Sequence, residues 1–174
     1  MNGDPHPVVQ TGLYTPSPLA VEVGASSAVL ARHPSRLMTQ ALGSCIGITL
    51  WDQSLRTGVL AHVMLPAPGD GSRGTSAKYV AFAVPEMVRM MVEAGSFKHR
   101  LVAKIAGGAA MFSRESLVAS IGLRNVEEVK RQLALAQVRL AAEDTGQAHA
   151  RTIELILDTG ILLVHSHRFG VREL

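Results

Sequence analysis

The alternation of apolar and polar positions is clearest between Ala41 and Leu65. Ala41 to Trp51 places Ile46, Ile48 and Leu50 on one face of an extended chain and Cys45, Gly47 and Thr49 on the other. Asp52-Gln53-Ser54 supplies turn chemistry. Thr57 to Leu65 then resumes the two-residue period, with Leu60, His62 and Met64 on one side. Together the two runs predict a β-hairpin. Leu19 to Val23 and Ala28 to Arg32 are shorter strand candidates, the second closed by His33-Pro34.

Beyond the loop Pro66 to Gly74 the period changes. Val80, Val84, Met87, Val88 and Met91 recur at helical spacing, with Thr75 or Ser76 as the expected cap and Gly95 as the terminator. Pro85 predicts a kink or restart within that helix. Leu101 to Ala106 reads as a buried strand ending in Gly107-Gly108. A second helix is expected over Gly122 to Gln137, with Val126, Val129, Leu133 and Ala136 on its inner stripe and Glu127 paired to Arg131 one turn on. Strands over Val138 to Glu143, Arg151 to Leu157 and Ile161 to His165 close the chain, the last two turned by Asp158-Thr159-Gly160. Strands outnumber helices and hairpins recur. The expected class is therefore α+β: a single layered α/β domain of mixed, largely antiparallel sheet with two main helices. Residues 1–18, rich in Pro and Gly, are expected to form a flexible leader ahead of a folded domain over 19–174.

A chain of 174 residues, 47% hydrophobic and 18% charged, suffices for one domain with a sizeable core. Aromatics make up only 4%, so aliphatic side chains and seven methionines must fill it; Met87, Met90 and Met91 read as core and helix surface. The net charge is +3, but the arginines are scattered and lack stacking aromatics, which excludes a nucleic-acid partner. The leader has no basic start followed by an apolar run, and no segment is long enough to span a bilayer. A cytoplasmic protein without membrane insertion is expected. The lone cysteine cannot form an internal disulfide, which agrees with a reducing compartment.

A single Cys in an apolar run is ordinarily a small buried hydrophobe, and a single His beside Leu60 and Met64 is ordinarily structural. Two features favour chemistry at Cys45. Gly43-Ser44 precedes it, and glycine permits backbone geometry that a strand interior does not need; Cys45 also falls opposite Ile46, Ile48 and Leu50. If the two runs pair, His62 comes near Cys45, and a thiol beside an imidazole is the minimum for nucleophilic catalysis. A third group must orient the ring. Thr39, Ser44 and Asp144 are all candidates, and periodicity does not choose among them. His165 and His167 have no carboxylate or cysteine beside them, so they read as a solvated C-terminal strand and no metal is expected. Gly107-Gly108 lacks the flanks of a phosphate loop and reads as close packing near the site. Arg124-Asn125 is expected to open the second helix, with Asn125 capping it or bracing a loop.

The runs ALGSCIGITLWD at Ala41 to Asp52 and LAHVMLP at Leu60 to Pro66 resemble the CheD family of chemoreceptor glutamine deamidases. The likeness continues through Lys78-Tyr79, KIAGGAAMF at Lys104 to Phe112 and IGLRNVEEVKRQL at Ile121 to Leu133. It ends with AEDTG at Ala142 to Gly146, Arg151 and the turn at Thr159-Gly160, all in the family's order. The chain departs from the pattern at Gly146-Gln147, where many relatives carry two glycines.

The resemblance implies a protein-glutamine glutaminase that converts glutamines of methyl-accepting chemotaxis receptors to glutamate and releases ammonia. Its implied triad is Cys45 as nucleophile, His62 as base and Thr39 as third member, acting through a thioester and needing no cofactor. It also implies a fold similar to the catalytic domain of cytotoxic necrotizing factor toxins. A CheC-type phosphatase is the other implied partner, and the alternative function is an adaptor, non-catalytic or dual-role, that binds and stimulates it. Ser44, beside the nucleophile, and Arg73, in the loop after the strand carrying His62, are the candidate substrate contacts. Backbone N–H groups near Gly43 to Cys45 are the candidate oxyanion donors.

Overall fold

The computed structural model describes residues 17–71, 74, 76–110 and 117–174. Most of the proposed leader, together with Arg73 and Thr75, lies outside the described residues. Among the described residues, ten strands form two five-stranded sheets, and two α-helices cover one of them. The first sheet has the order β1-β3-β8-β9-β10, from Ala20–Glu22, Arg36–Leu42, Arg151–Ile156, Leu162–Ser166 and Gly170–Glu173. The second has the order β2-β5-β4-β6-β7, from Ser27–Arg32, Thr57–Val63, Ile46–Asp52, Val102–Gly107 and Arg139–Thr145. Both sheets are mixed: β1 with β3 and β6 with β7 run parallel, and the other pairs are antiparallel.

Alternation along the strands sorts side chains into two cores. Ile46, Ile48, Leu50, Val59, Ala61 and Val63 face the helices, where Val84, Met87, Met91, Val129 and Leu133 cover them. Leu60 and Ala106 face the other way, into a layer between the sheets filled by Leu37, Leu42, Ile153, Leu155 and Val164. The order of layers is thus sheet, sheet, helices. The expected hairpin is present as β4–β5, with Ile46 opposite Val63 and Gly47 opposite His62.

Several expectations are corrected. Ala41 to Trp51 is not one strand: Ala41 and Leu42 end β3 in the first sheet, and the chain crosses through Gly43-Ser44-Cys45 to begin β4 in the second. The strands β3 and β10 were not expected as separate elements. Helix α1, Val80–Glu93, begins later than the expected cap, and Tyr79 precedes it without a side-chain cap bond. Its first amides are satisfied instead by backbone: Val80 N–H donates to the Leu65 carbonyl and Ala81 N–H to that of Pro66. The helix passes through Pro85 as one element and ends with Gly95 at φ 100°. There Ser96 N–H returns to the Met91 carbonyl and Gly95 N–H to that of Val92, the Schellman pattern. Helix α2, Leu117–Leu135, starts earlier than expected, so Asn125 lies within it and does not open it. Arg131 pairs with Glu128, at 2.7 Å, and not with Glu127. His167 lies beyond β9 in a turn, so it shares no strand with His165.

Candidate active site

His62 stands on β5 on the side that faces the first sheet, and it is buried at 6% exposure. Across the layer stands Thr39 of β3, which is equally enclosed. Thr39 Oγ1 lies 2.8 Å from His62 Nδ1 and 2.6 Å from the Val23 carbonyl. A hydroxyl has one proton, and a carbonyl can only accept. The Thr39 proton therefore goes to Val23, and the Thr39 oxygen accepts from His62 Nδ1–H. This fixes the tautomer of the neutral ring and leaves the lone pair on Nε2. Among the three groups proposed to orient the ring, Thr39 is the one in contact. Asp144 is engaged elsewhere, by Arg151 Nε at 2.8 Å and Arg172 Nη1 at 2.8 Å.

Cys45 closes the loop that joins the sheets and leads directly into β4. It is half-buried and packs against the inter-sheet core, the side on which His62 stands. Two residues on, Gly47 is paired with His62 across the β4–β5 ladder. The loop leaves β3 through Ala41, whose φ of 56° is left-handed, with Gly43 N–H closing back on the Ala41 carbonyl at 2.9 Å. For a residue with a Cβ that conformation costs roughly 1–2 kcal/mol, a strain that recurs where a reactive side chain is aimed.

Three distant groups hold the loop's carbonyls. Ala109 N–H donates to Gly43 O at 2.8 Å and Gly108 N–H to Cys45 O at 2.8 Å. Asn125 Nδ2 donates to Ser44 O at 2.9 Å and to Met64 O at 3.0 Å. Gly107, at φ 110°, makes the approach possible, because a Cβ there would collide with the Cys45 carbonyl. The Gly107-Gly108 segment is thus close packing beside the site, as expected, and Asn125 braces a loop.

The electrostatics favour neutral groups. Burial pushes the Cys45 thiol up from its ordinary value, and the Cys45 backbone N–H offsets this only in part. Burial pushes the His62 imidazole down. Both shifts disfavour a resting thiolate–imidazolium pair. Ser44 is half-buried within the Cys45 loop. Among the described residues, no group of three or more His, Cys, Asp or Glu side chains is placed to hold a metal ion. Nor is any helix long and apolar enough to cross a membrane.

The family model described as CheD chemotactic sensory transduction matches residues 64–166, more than half of the chain. A Geobacter metallireducens protein named probable chemoreceptor glutamine deamidase CheD 2 is 40% identical over 158 residues, covering 88% of this chain and 98% of its own. The chain belongs to the CheD family.

Two further CheD relatives extend the match. Probable chemoreceptor glutamine deamidase CheD 3 of Geobacter sulfurreducens is 43% identical over 88% of this chain and 98% of its own. Chemoreceptor glutamine deamidase CheD of Thermotoga maritima is 42% identical over 82% of this chain and 88% of its own. A solved structure, of the Bacillus licheniformis hypothetical protein YfiH, superposes on 70% of this chain and 51% of its own at TM-score 0.47 and 15% identity, a likeness too slight to inform the fold.

The CheD-like blocks of the sequence converge in space. ALGSC and LAHVM supply the Cys45 loop and the His62 strand, KIAGGA supplies the loop amides, and IGLRN supplies Asn125. The Val23 carbonyl and the Gly108 and Ala109 amides escaped the sequence reading, since backbone groups carry no residue signature. Asn125 carried a signal: it lies four residues before Val129 and eight before Leu133, a polar side chain on an apolar stripe.

Proposed function

We propose that this protein is a deamidase of protein glutamines that acts on chemoreceptors, with Cys45 as nucleophile, His62 as base and Thr39 as the group that orients it. The observation that carries the reading is the Thr39–His62 contact of 2.8 Å, which leaves His62 Nε2 as a free base in the layer where Cys45 sits. The names of the CheD relatives supply the substrate class.

His62 Nε2 takes the Cys45 thiol proton as the sulfur attacks the side-chain amide carbon of a glutamine. Since burial favours thiol and imidazole at rest, transfer and attack proceed together once substrate excludes water. The tetrahedral oxyanion is met by backbone N–H groups. Gly43 N–H is already bonded to Ala41, which leaves those of Ser44 and Cys45. The carbon–nitrogen bond breaks, His62 returns its proton to the departing ammonia, and a thioester remains. Water, deprotonated by His62, hydrolyses the thioester to glutamate and restores the thiol. A glutamate γ-methyl ester would form the same thioester. Ser44 and Arg73 are proposed to contact the receptor chain around the target glutamine.

The test is to incubate the protein with the cytoplasmic domain of a chemoreceptor and follow ammonia together with peptide masses. Conversion of particular glutamines to glutamate, with the main chain intact, is expected. Cleaved main chain would indicate a thiol protease, and an unaltered receptor would leave the adaptor that binds a CheC-type phosphatase.

A further inference from the structure

Asn125 is fully buried at the centre of α2, on the stripe that otherwise packs apolar side chains against the second sheet. Its side-chain amide has two N–H groups, and both are used: one reaches Ser44 O at 2.9 Å, the other Met64 O at 3.0 Å. The opposite orientation would set its oxygen against two carbonyls, so acceptor chemistry alone fixes the amide. Asn125 Oδ1 is buried without a partner, which makes asparagine a costly choice here for stability alone.

The two bonds tie the loop before β4 to the residue that follows β5. Ser44 lies beside the nucleophile, and Met64 lies two residues beyond His62. Within one peptide unit the carbonyl and the following N–H point in opposite directions. Holding Ser44 O toward α2 therefore turns Cys45 N–H away from the helix. The same rule applied to Gly43 O, held by Ala109 N–H, turns Ser44 N–H away from Ala109. Gly122, one turn before Asn125, permits the helix to come this close: a Cβ there would stand 2.6 Å from Gly108 O and 2.7 Å from Ala109 O.

We infer that Asn125 is a positioning residue for the deamidation transition state: it orients the Ser44–Cys45 peptide so that Cys45 N–H faces the oxyanion. It touches no reacting atom and acts through the backbone of the loop. This inference rests on the deamidase reading.

The experiment compares wild type with Asn125→Ala and Asn125→Asp on a receptor cytoplasmic domain, measuring kcat, KM, thermal melting and the rate at which iodoacetamide alkylates Cys45. Alkylation needs the thiolate and no oxyanion donor, so it separates positioning from general damage. Both variants should lose kcat by about tenfold to a hundredfold, with KM nearly unchanged, because the donor is misaimed but not deleted. Alkylation should stay within about threefold of wild type. Asn125→Asp keeps the size of the side chain and decides the matter if Asn125→Ala unfolds. A folded variant with wild-type kcat would overturn the inference while leaving the deamidase reading intact. So would kcat and alkylation falling together, or failure of both variants to fold, since each assigns Asn125 a purely structural role. A wild type that leaves receptor glutamines unchanged removes both.

Discussion

Thr39 and His62 stand on different sheets, yet the Thr39 hydroxyl accepts a hydrogen bond from His62 Nδ1–H across 2.8 Å while donating one to the Val23 carbonyl. The contact makes the alignment of the two sheets part of the proposed catalytic geometry. Thr39→Val, which keeps the shape and removes the hydroxyl, should lower kcat by about tenfold or more through loss of the oriented base. Thr39→Ser should keep most of the rate. The Val variant also strips the Val23 carbonyl of its donor, at about 1 kcal/mol of stability, which a denaturant titration reads separately. Equal rates for all three proteins would remove Thr39 from the mechanism.

The pH behaviour follows from the two shifts. Burial raises the Cys45 thiol above 9.0, so the thiolate fraction is small at neutral pH and grows through pH 9. Iodoacetamide should therefore alkylate the resting protein slowly at neutrality, with a rate that climbs steadily into the alkaline range. His62 is lowered below 6.5, so it stays a neutral base down to below that value, and the acid limb of kcat/KM should lie under pH 6.5. A thiol reactivity that is already at a plateau at neutral pH would show a resting ion pair and contradict the neutral site.

Side-chain periodicity made much of this legible in the sequence, and long-range backbone contacts account for most of what it concealed. Ile46, Ile48 and Leu50 sort to one face as their spacing indicates, and Val126, Val129 and Leu133 form the buried stripe of α2. The break at residues 43–45 was hidden because apolar residues flank Gly43-Ser44-Cys45 on both sides, at Ala41-Leu42 and from Ile46 on. The break is made by the left-handed Ala41 and by bonds from Gly108, Ala109 and Asn125, far along the chain. The start of α1 was misplaced for a similar reason: its capping partners are the Leu65 and Pro66 carbonyls, not a side chain. Cys45 and His62 were legible as residue types. Periodicity left Thr39 and Asp144 both open and only the family resemblance pointed to Thr39; in space the choice is made by how the sheets pack, and by Arg151 and Arg172 holding the carboxylate.

Asp144 and Arg151 are a buried pair, at 5% and 0% side-chain exposure. Arg151 also donates to the carbonyls of Gly146 and His149, and Gly146 N–H is bonded to Gly107 O beside the Cys45 loop. Asp144→Ala leaves the guanidinium buried without its carboxylate and should cost about 3–5 kcal/mol in urea unfolding. A cost below about 1 kcal/mol would mean that the pair contributes like an exposed one.

Gly122→Ala sets helix propensity against packing. Alanine favours a helix interior by about 1 kcal/mol, but its Cβ would lie 2.6 Å from the Gly108 carbonyl. The backbone cannot yield there without moving Gly108, whose amide holds Cys45 O. The expected result is a fall in kcat of about tenfold or more, with a stability loss of about 1–3 kcal/mol from overpacking. A more stable variant with full activity would show that α2 need not sit so close.

The most direct measurement is the rate of receptor deamidation by Cys45→Ala beside wild type, with thermal melting of both. Cys45 is half-buried, and a methyl group fits where the thiol was, so the melting temperature should change little. Without sulfur no thioester can form, and conversion of glutamine to glutamate should fall to the level without protein. A folded Cys45→Ala protein that deamidates the receptor at the wild-type rate would contradict the account.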